Sequence, residues 1–470
     1  MNNKLKDVLQ ETENVRTKRF GRGDKGSIYV EPSEQNQNPS MVSEPSIVQC
    51  TVQLQLPEKN HSRRKTQSDI PNQEKSNVEA TSTKTINPSR LRSVPHSMFV
   101  DDPKAQKKVA SKLIKQQVPK RQEFKVKMPL FSHLIQMERN VDMGESISLC
   151  NSPIHPDFIS FGLKCADGIL FSSRARSIQL IACLITFIND YEMHSPIDAL
   201  RDLEAKLSPS LSFLSQCRPN SVGMATIIKY LKKKFTKAAF FDENIKLFLI
   251  DSLNRFLNER IFMAGDVIST YVSQKIADND VILTYSMSEI ILNGLVDAYK
   301  SGKRFKVVII DTLPRYDGQK MLRLLTNSDI KCCYAGFNSL SRVMRTVSKI
   351  IIFGNSLMSN GTVLGPVGSA LITAVGSHYR VPVLVCCETY NVSDRAQTDS
   401  FVYNELGDPD DILELNRKSS IDIADWKENP RITLLNLYYD IIQPKYVSAV
   451  VTELGIIPCS SAPVILRVKS

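Results

Sequence analysis

The sequence lacks any apolar run close to the roughly 20 residues that a membrane-spanning helix needs. It has no secretory signal pattern, no CxxC pair and no His and Cys spacing typical of a zinc site. Its ten cysteines include two adjacent pairs, Cys332-Cys333 and Cys386-Cys387, and both pairs lie inside apolar runs. We therefore expect a soluble intracellular protein with buried, reduced thiols and no metal site.

The sequence also lacks the glycine-rich loops that bind nucleotides. Leu283–Glu289, which contains the end of the first predicted strand of an α/β region and the residues after it, has no glycine. Without glycine the backbone cannot approach a pyrophosphate closely at a helix N-terminus. No G-x-x-x-x-G-K-[ST] loop occurs either, so the sequence argues against a dinucleotide cofactor and against nucleotide hydrolysis, and we expect no cofactor.

The positive charge is concentrated near the start of the chain. Residues 1–128 contain 24 Lys and Arg against 14 Asp and Glu, whereas residues 129–470 contain 36 against 35. Residues 1–122 are rich in polar residues and have no sustained apolar periodicity, so we predict a disordered basic tail, with a short amphipathic stretch at Ala105–Gln117. The cluster Arg63-Arg64-Lys65 fits either a solvated linker, which we favour, or a localisation or RNA-binding patch.

A helical pattern follows over residues 123–275. Apolar residues recur at spacings of three and four, which predicts one buried helix face, in Ile178, Ile181, Leu184, Ile185 and Ile188. Ser195-Pro196 and Ser208-Pro209 are typical of helix starts, and Asn244–Ser273 is a second long periodic run. These features predict a helical bundle domain.

Residues 276–470 alternate between strand and helix patterns. The predicted strands are Asp280–Tyr285, Phe305–Ile310, Lys331–Ala335, Lys349–Phe353, Val381–Cys387 and Pro463–Val468. The predicted helices are Ser288–Lys300, Gln319–Ser328, Val363–Tyr379 and Leu434–Ile442. Because the strand runs are almost continuously apolar, we predict a Rossmann-like, doubly wound and mostly parallel sheet with helices on both faces. Its ligand crevice should lie beyond the carboxyl ends of the strands.

Several strings resemble a known family. They are Ser173–Arg176, Gln216–Ser221, Val381–Tyr390, Gln397–Phe401, Asn404–Asp411 and Thr452–Ser461. Over about residues 128–470 the chain resembles the alpha, beta and delta regulatory subunits of eukaryotic translation initiation factor 2B, and the delta branch in particular. The predicted tail lies outside this resemblance.

The resemblance implies a non-catalytic subunit of a guanine nucleotide exchange factor. In that family the complex promotes exchange of GDP for GTP on initiation factor 2, and the epsilon subunit carries the exchange chemistry. The implied partners are the beta, alpha, gamma and epsilon subunits, with beta–delta pairing through the α/β domains. The resemblance further implies that the helical domain senses the phosphorylated alpha subunit of initiation factor 2, in the cytosol, as part of the integrated stress response.

The same fold occurs in sugar-phosphate isomerases, which pair a cysteine after the first strand with an aspartate in an N-G-D loop. In this chain Ser286 stands at the cysteine position and Thr362 at the aspartate position, within Asn360-Gly361-Thr362. A hydroxyl without an adjacent base is a poor acid or base at neutral pH. We therefore expect a vestigial crevice at Ser286, Asn360, Gly361 and Thr362, while an active isomerase and a ligand sensor remain as alternatives.

Two charged groups are candidates for partner surfaces. Arg174 and Arg176 suit an acidic or phosphorylated partner, although a solvated pair or an intradomain salt bridge fits them as well. Asp410 and Asp411 either cap a helix near Ile412 or meet a basic partner.

Overall fold

The computed structural model describes residues 129–134, 136, 154–192, 196–238, 245–414, 426, 428–429 and 431–469. The predicted tail, the stretch at 105–117 and the cluster at 63–65 lie outside these residues. The domain limits 1–122, 123–275 and 276–470 stay predictions.

The first part of the described chain is helical. Its helices are α1 (Pro156–Ala166), α2 (Ser173–Asp190), α3 (Pro196–Cys217), α4 (Val222–Ala238), α5 (Ile245–Phe256) and α6 (Ala264–Lys275). The predicted face of α2 is buried at Ile178, Ile181 and Leu184. A π-helical segment, Leu257–Met263, joins α5 to α6, so that the long periodic run is one continuous helical stretch. Among the described residues, no helix combines the length and the apolar character that a membrane crossing requires.

A seven-stranded sheet forms the second part. The strands of the described chain are β1 (Val281–Tyr285), β2 (Lys306–Asp311), β3 (Lys331–Gly336), β4 (Lys349–Phe353), β5 (Ser356–Met358), β6 (Val363–Pro366), β7 (Val383–Cys386), β8 (Val392–Ser393), β9 (Tyr439–Ile442), β10 (Ala449–Thr452) and β11 (Gly455–Ile457). The seven strands lie in the order β11-β10-β7-β4-β1-β2-β3, and every neighbouring pair is parallel except β10 with β11. The predicted α/β class with a mostly parallel sheet is confirmed.

Helices cover both faces of this sheet. They are α7 (Glu289–Lys300), α8 (Gly318–Thr326), α9 (Leu340–Met344), α10 (Ser369–His378) and, after a short helix α11 (Asp410–Glu414) that is not part of either core, α12 (Ala462–Lys469). Alternate strand residues enter different cores: Leu283 and Ile350 belong to one apolar cluster, whereas Ile282 and Ile351 belong to the other. This two-sided burial explains why the strands are almost continuously apolar.

The order of the strands predicts where a ligand crevice lies in the sheet. The chain runs from β1 outward to β2 and β3, and then crosses to β4 on the other side of β1. The loops after β1 and β4 therefore diverge at the carboxyl edge, which is where open α/β sheets form ligand crevices. Ser288 begins α7 after β1, because its hydroxyl accepts a hydrogen bond from the Ile291 amide at 3.5 Å.

Two predicted elements near the end of the chain are wrong. Leu434–Ile442 is not a helix: Tyr439–Ile442 is β9, which pairs antiparallel with β6 in a small sheet of order β8-β5-β6-β9. Pro463–Val468 is not a strand but lies in α12. Short apolar runs fit either element, and the presence of a partner strand decides between them.

Two helix predictions also need correction. The predicted helix Val363–Tyr379 divides into β6 and α10, because Gly368 between them has a left-handed φ of 95° that ends the strand and precedes the helix. Ser208-Pro209 does not start a helix, since Pro209 lies inside α3.

The prediction of buried cysteine pairs is half correct. Cys386 and Cys387 are buried in the centre of the sheet. Cys333 is exposed and Cys332 is partly exposed, because their strand, β3, lies at the edge of the sheet.

Candidate functional site

A crevice lies at the carboxyl ends of β1 and β2. Its lining combines aromatic and apolar groups with a few charged ones, among them Phe171, Tyr285, Ser286, Asp311, Arg315, Asp317, Leu437 and Tyr438. The position agrees with the crevice predicted from the alternation of strands and helices.

Ser286 lies in this crevice, as the sequence predicts. It follows β1 directly and has a φ of 60°, a left-handed conformation that is uncommon for residues other than glycine. Its hydroxyl has no hydrogen-bond partner among the described residues. Ser286 is therefore the one predicted crevice residue that reaches the cavity.

The carboxylates of the crevice are already engaged. Asp311 accepts hydrogen bonds from the Tyr334 hydroxyl at 2.8 Å and from the Thr312 amide at 2.9 Å. Burial raises the pKa of the Asp311 carboxyl, although these hydrogen bonds oppose the rise. Asp317 accepts two hydrogen bonds from Arg315, at 2.8 and 3.1 Å. No histidine is among the described residues that line the cavity, so within this part of the chain Ser286 has no uncommitted base beside it.

The Asn360-Gly361-Thr362 loop does not line this cavity. The Thr362 hydroxyl is buried and donates to the Gln397 carbonyl oxygen at 2.8 Å, and the Asn360 amide donates to the same oxygen at 2.9 Å. Gly361 has a φ of 81°, and a Cβ there would come within 2.9 Å of the Cys459 carbonyl oxygen. The loop is a packed turn, and the structure does not bring its side chains together with Ser286 in the crevice.

Buried ion pairs connect the helical part to the sheet. Arg218, at the end of α3, donates from Nε to Glu405 Oε2 at 2.6 Å and from Nη2 to the Tyr439 hydroxyl at 3.1 Å. Arg176 Nη1 lies 3.9 Å from Glu405 Oε1, and Arg176 Nη2 donates to the Pro219 carbonyl oxygen. All three ionised groups are almost fully buried, so Glu405 faces two guanidinium groups with little water between them.

A second buried pair lies at the N-terminus of α2. Arg174 donates to the fully buried Glu388 carboxylate, and also to the Ile261 carbonyl oxygen in the π-helical segment at 3.0 Å. Burial raises the pKa of Glu388, and the Arg174 guanidinium opposes that rise. The pair joins the helical part to the end of β7, two residues before Glu388.

A second cavity borders Glu405. The polar side chains in its lining include Ser173, Asn220, Asn355, Arg395, Tyr403 and Glu405. Among the described residues, three buried polar atoms in this region have no hydrogen-bond partner: Asn220 Oδ1, Arg176 Nε and Arg176 Nη1. Buried polar groups without partners are uncommon in native proteins.

Comparison with known proteins identifies the family. A model described as the initiation factor 2 subunit family matches residues 170–459. The chain belongs to the initiation factor 2 subunit family. Two curated relatives are named translation initiation factor eIF2B subunit delta. The one from Dictyostelium discoideum is 34% identical over 78% of this chain and 60% of its own length. The one from Schizosaccharomyces pombe is 34% identical over 72% of this chain and 73% of its own length.

These relatives confirm the predicted resemblance to delta subunits. The chain spans 60% of the length of the Dictyostelium relative, so the match covers only part of that protein. The chain is also 25% identical, over 56% of its length and 80% of the relative, to a ribose 1,5-bisphosphate isomerase from Thermococcus kodakarensis. Delta subunits and sugar-phosphate isomerases, the two groups of proteins that the sequence resembles, are therefore both found among the relatives.

Solved structures support the fold. A chain of the tetrameric eIF2B-beta2-delta2 complex from C. thermophilum matches with a TM-score of 0.60 and 23% identity, covering 72% of this chain and 99% of that one. eIF2B delta from Chaetomium thermophilum matches with a TM-score of 0.53 and 23% identity, covering 64% of this chain and 98% of that one. At these identities the likeness shows a shared fold.

The structure corrects the partner-surface prediction for the arginines of this family member. Arg176 is 1% exposed, and the Arg174 side chain is 13% exposed and paired with Glu388. Arg174 forms a salt bridge, but it is not the intradomain one left open by the sequence, because Glu388 lies outside the predicted helical domain. Neither guanidinium is available as a surface for an acidic partner.

The acidic run is found at a helix start. Asp408 accepts a hydrogen bond from the Asp410 amide at 2.9 Å, at the beginning of α11, and Asp411 lies in the first turn. Asp410 in turn accepts from the Trp426 indole at 3.0 Å. This geometry favours the capping interpretation, while binding of a basic partner by Asp410 and Asp411 stays a prediction.

Sequence reasoning missed the residues that matter most to the interior. Arg218 lay inside a string that carried the family resemblance, and Glu405 lay in the acidic run, but neither was expected in a buried pair. They are 187 positions apart, so no local pattern connects them. Arg218 is the only charged residue between Lys206 and Lys229, and this isolation was the available signal.

Proposed function

We propose that the chain is a regulatory and assembly subunit of the guanine nucleotide exchange factor for initiation factor 2, and is not itself an enzyme. The observation that carries this proposal is the 34% identity to two delta subunits over 72–78% of the chain. The site geometry supports it, because Ser286 has no free base and the Thr362 hydroxyl is bound to a backbone carbonyl. We place the protein in the cytosol with the other subunits.

The proposed partners are the beta, alpha, gamma and epsilon subunits, together with initiation factor 2. A beta2-delta2 tetramer is known for a structural neighbour, which supports pairing with beta. We further propose that the helical part senses phosphorylated initiation factor 2 alpha. Since Arg174 and Arg176 are buried, exposed cations elsewhere in the helices must carry that contact; α4 supplies Lys229 and Lys232.

Purification of the tagged full chain from cells tests the proposal. We expect the beta, gamma and epsilon subunits to be recovered with it, and we expect the isolated complex to accelerate GDP release from initiation factor 2. Phosphorylated initiation factor 2 alpha should reduce that rate only when this chain is present. Recovery of the chain as a monomer without these subunits would contradict the proposal.

The polar cavity favours a second candidate function, the binding of a sugar phosphate without turnover. Asn220, which lines this cavity, leaves a buried side-chain oxygen unpartnered among the described residues, and a polar ligand would satisfy it. A panel of sugar phosphates in a thermal-unfolding assay tests this, since a ligand that binds the folded state raises the melting temperature. Turnover of a ribose phosphate that is lost in Ser286→Ala would instead indicate an active isomerase.

A further inference from the structure

One edge of the seven-stranded sheet is open among the residues that the structure describes. Within them β3 pairs only with β2, and four of its six residues are exposed. The opposite edge is β11, a strand of three residues with no exposed member. β3 has six residues, as many as its neighbour β2. It therefore presents a full-length strand to solvent.

An open edge has backbone groups without partners. Alternate N–H and C=O groups of β3 face away from β2, and a row of such groups is a template for another strand. Proteins usually blunt long edges with proline, a bulge or several inward charges. β3 contains no proline, and Lys331 at its first position is the only charged residue within it. Tyr334, held in place by its hydrogen bond to Asp311, is 38% exposed on the strand.

Positive charge surrounds this edge. Residues 318–348, from the start of α8 to the residue before β4, contain five Lys and Arg and a single acidic residue. All five cations are exposed: Lys320, Arg323, Lys331, Arg342 and Arg345. Among the described residues, Arg323, Lys331 and Arg342 have no carboxylate partner. This local excess contrasts with residues 129–470 as a whole, where 36 cations face 35 anions.

We propose that β3 is a docking edge for an extended acidic peptide segment of a partner protein, which adds to the sheet as an eighth strand. The open N–H and C=O groups match a peptide backbone. Lys331, the first residue of β3, and Arg342, in the helix α9 that follows it, are exposed cations that complement acidic side chains. Nucleic acid fits less well, because it cannot pair with a strand edge and Tyr334 alone offers an exposed ring here. The inference does not rest on the proposed function.

Backbone hydrogen exchange in the full chain tests the docking directly. The probe is a short synthetic peptide of alternating glutamate and valine. At saturation we expect exchange to slow by about tenfold or more at about half of the β3 amides, those that face away from β2. The same peptide with every backbone nitrogen methylated, which lacks donors along both edges, should give no protection. The bound peptide should also slow alkylation of the exposed Cys333 thiol in β3. Peptide that binds elsewhere on the basic chain should not change this rate.

Charge variants separate this site from general attraction to a basic protein. Lys331→Glu combined with Arg342→Glu should weaken protection of β3 by about tenfold or more, whereas Arg260→Glu, on the exposed surface of the helical part, should leave it unchanged. Thermal unfolding establishes that each variant folds. Equal protection by the methylated peptide, equal or stronger protection by an oligouridylate, or no protection at about 1 mM peptide would each overturn the proposal.

Discussion

At the scale of single residues, the stability of the folded protein depends on the carboxylates that compensate its buried guanidinium groups. Glu405 is the carboxylate that faces both Arg218 and Arg176. An ion pair that is taken out of water gains little net energy, but the loss of one partner leaves a buried charge without compensation. Glu405 should therefore be far more sensitive to substitution than a surface carboxylate.

The substitution Glu405→Gln tests this. It keeps the shape and a hydrogen-bond acceptor but removes the charge that offsets Arg218, so we expect the free energy of unfolding to fall by about 3–5 kcal/mol. Urea denaturation monitored by circular dichroism measures the change. As the matched control, Asp251→Ala breaks an exposed pair with Arg255 and should cost about 0.5 kcal/mol or less. Equal losses of stability in the two variants would contradict the prediction that the buried charge of Glu405 matters more than that of an exposed carboxylate.

The sequence predicted the position of a residue where the path of the backbone determines that position. It did not predict whether a side chain is buried. Ser286 was placed correctly, because the residue after a central strand must lie at the carboxyl edge of a parallel sheet. Arg174 and Arg176 were expected on a surface because they flank an apolar stripe. Their partners, Glu388 and Glu405, come from more than 200 positions later in the chain and have no local signal.

At the scale of elements, the fit of α10 on the sheet depends on a glycine. A Cβ at Gly376 would come within 2.3 Å of Ile350 Cδ1, which belongs to the buried strand β4. A side chain at this position therefore requires the terminal methyl group of Ile350 to move, whereas the next nearest atom, Val383 Cγ2, lies 3.6 Å away. The glycine is there for packing, since its backbone is helical.

Gly376→Ala should lower the free energy of unfolding by about 1–3 kcal/mol, because overpacking a well-filled core forces its neighbours to move. Higher intrinsic helix propensity of alanine works in the opposite direction by up to about 1 kcal/mol. Ser377→Ala, at the neighbouring exposed position of α10, provides the control and should change stability by about 0.5 kcal/mol or less. A stabilising effect of Gly376→Ala would contradict the close packing.

At the scale of the whole molecule, the family match leaves the first part of the chain unexplained. The model of the initiation factor 2 subunit family matches residues 170–459, whereas the charge excess lies in residues 1–128. If assembly depends on the family fold, the tail is dispensable for it. Any binding of RNA should then belong to the tail.

Removal of residues 1–122 should leave the recovery of partner subunits unchanged. The full chain should bind an oligonucleotide more tightly than the truncated chain, and its affinity should fall steeply with added salt, because phosphate contacts release counterions. Co-purification and fluorescence anisotropy at several salt concentrations measure the two effects. Loss of the partners on truncation would place the assembly contacts in the tail instead.

The sequence by itself determined the α/β class, the mostly parallel sheet and the position of the crevice. These follow from strand runs that are apolar on both faces and alternate with helices, a pattern that only a covered parallel sheet explains. The tertiary structure alone decided that Leu434–Ile442 ends in a strand, that residues 463–468 are helical and that Cys333 is exposed. It also decided that Arg174, Arg176 and Arg218 are buried. Each of these depends on a neighbour distant in sequence, whether a partner strand, a sheet edge or a single carboxylate, and local composition does not encode that neighbour.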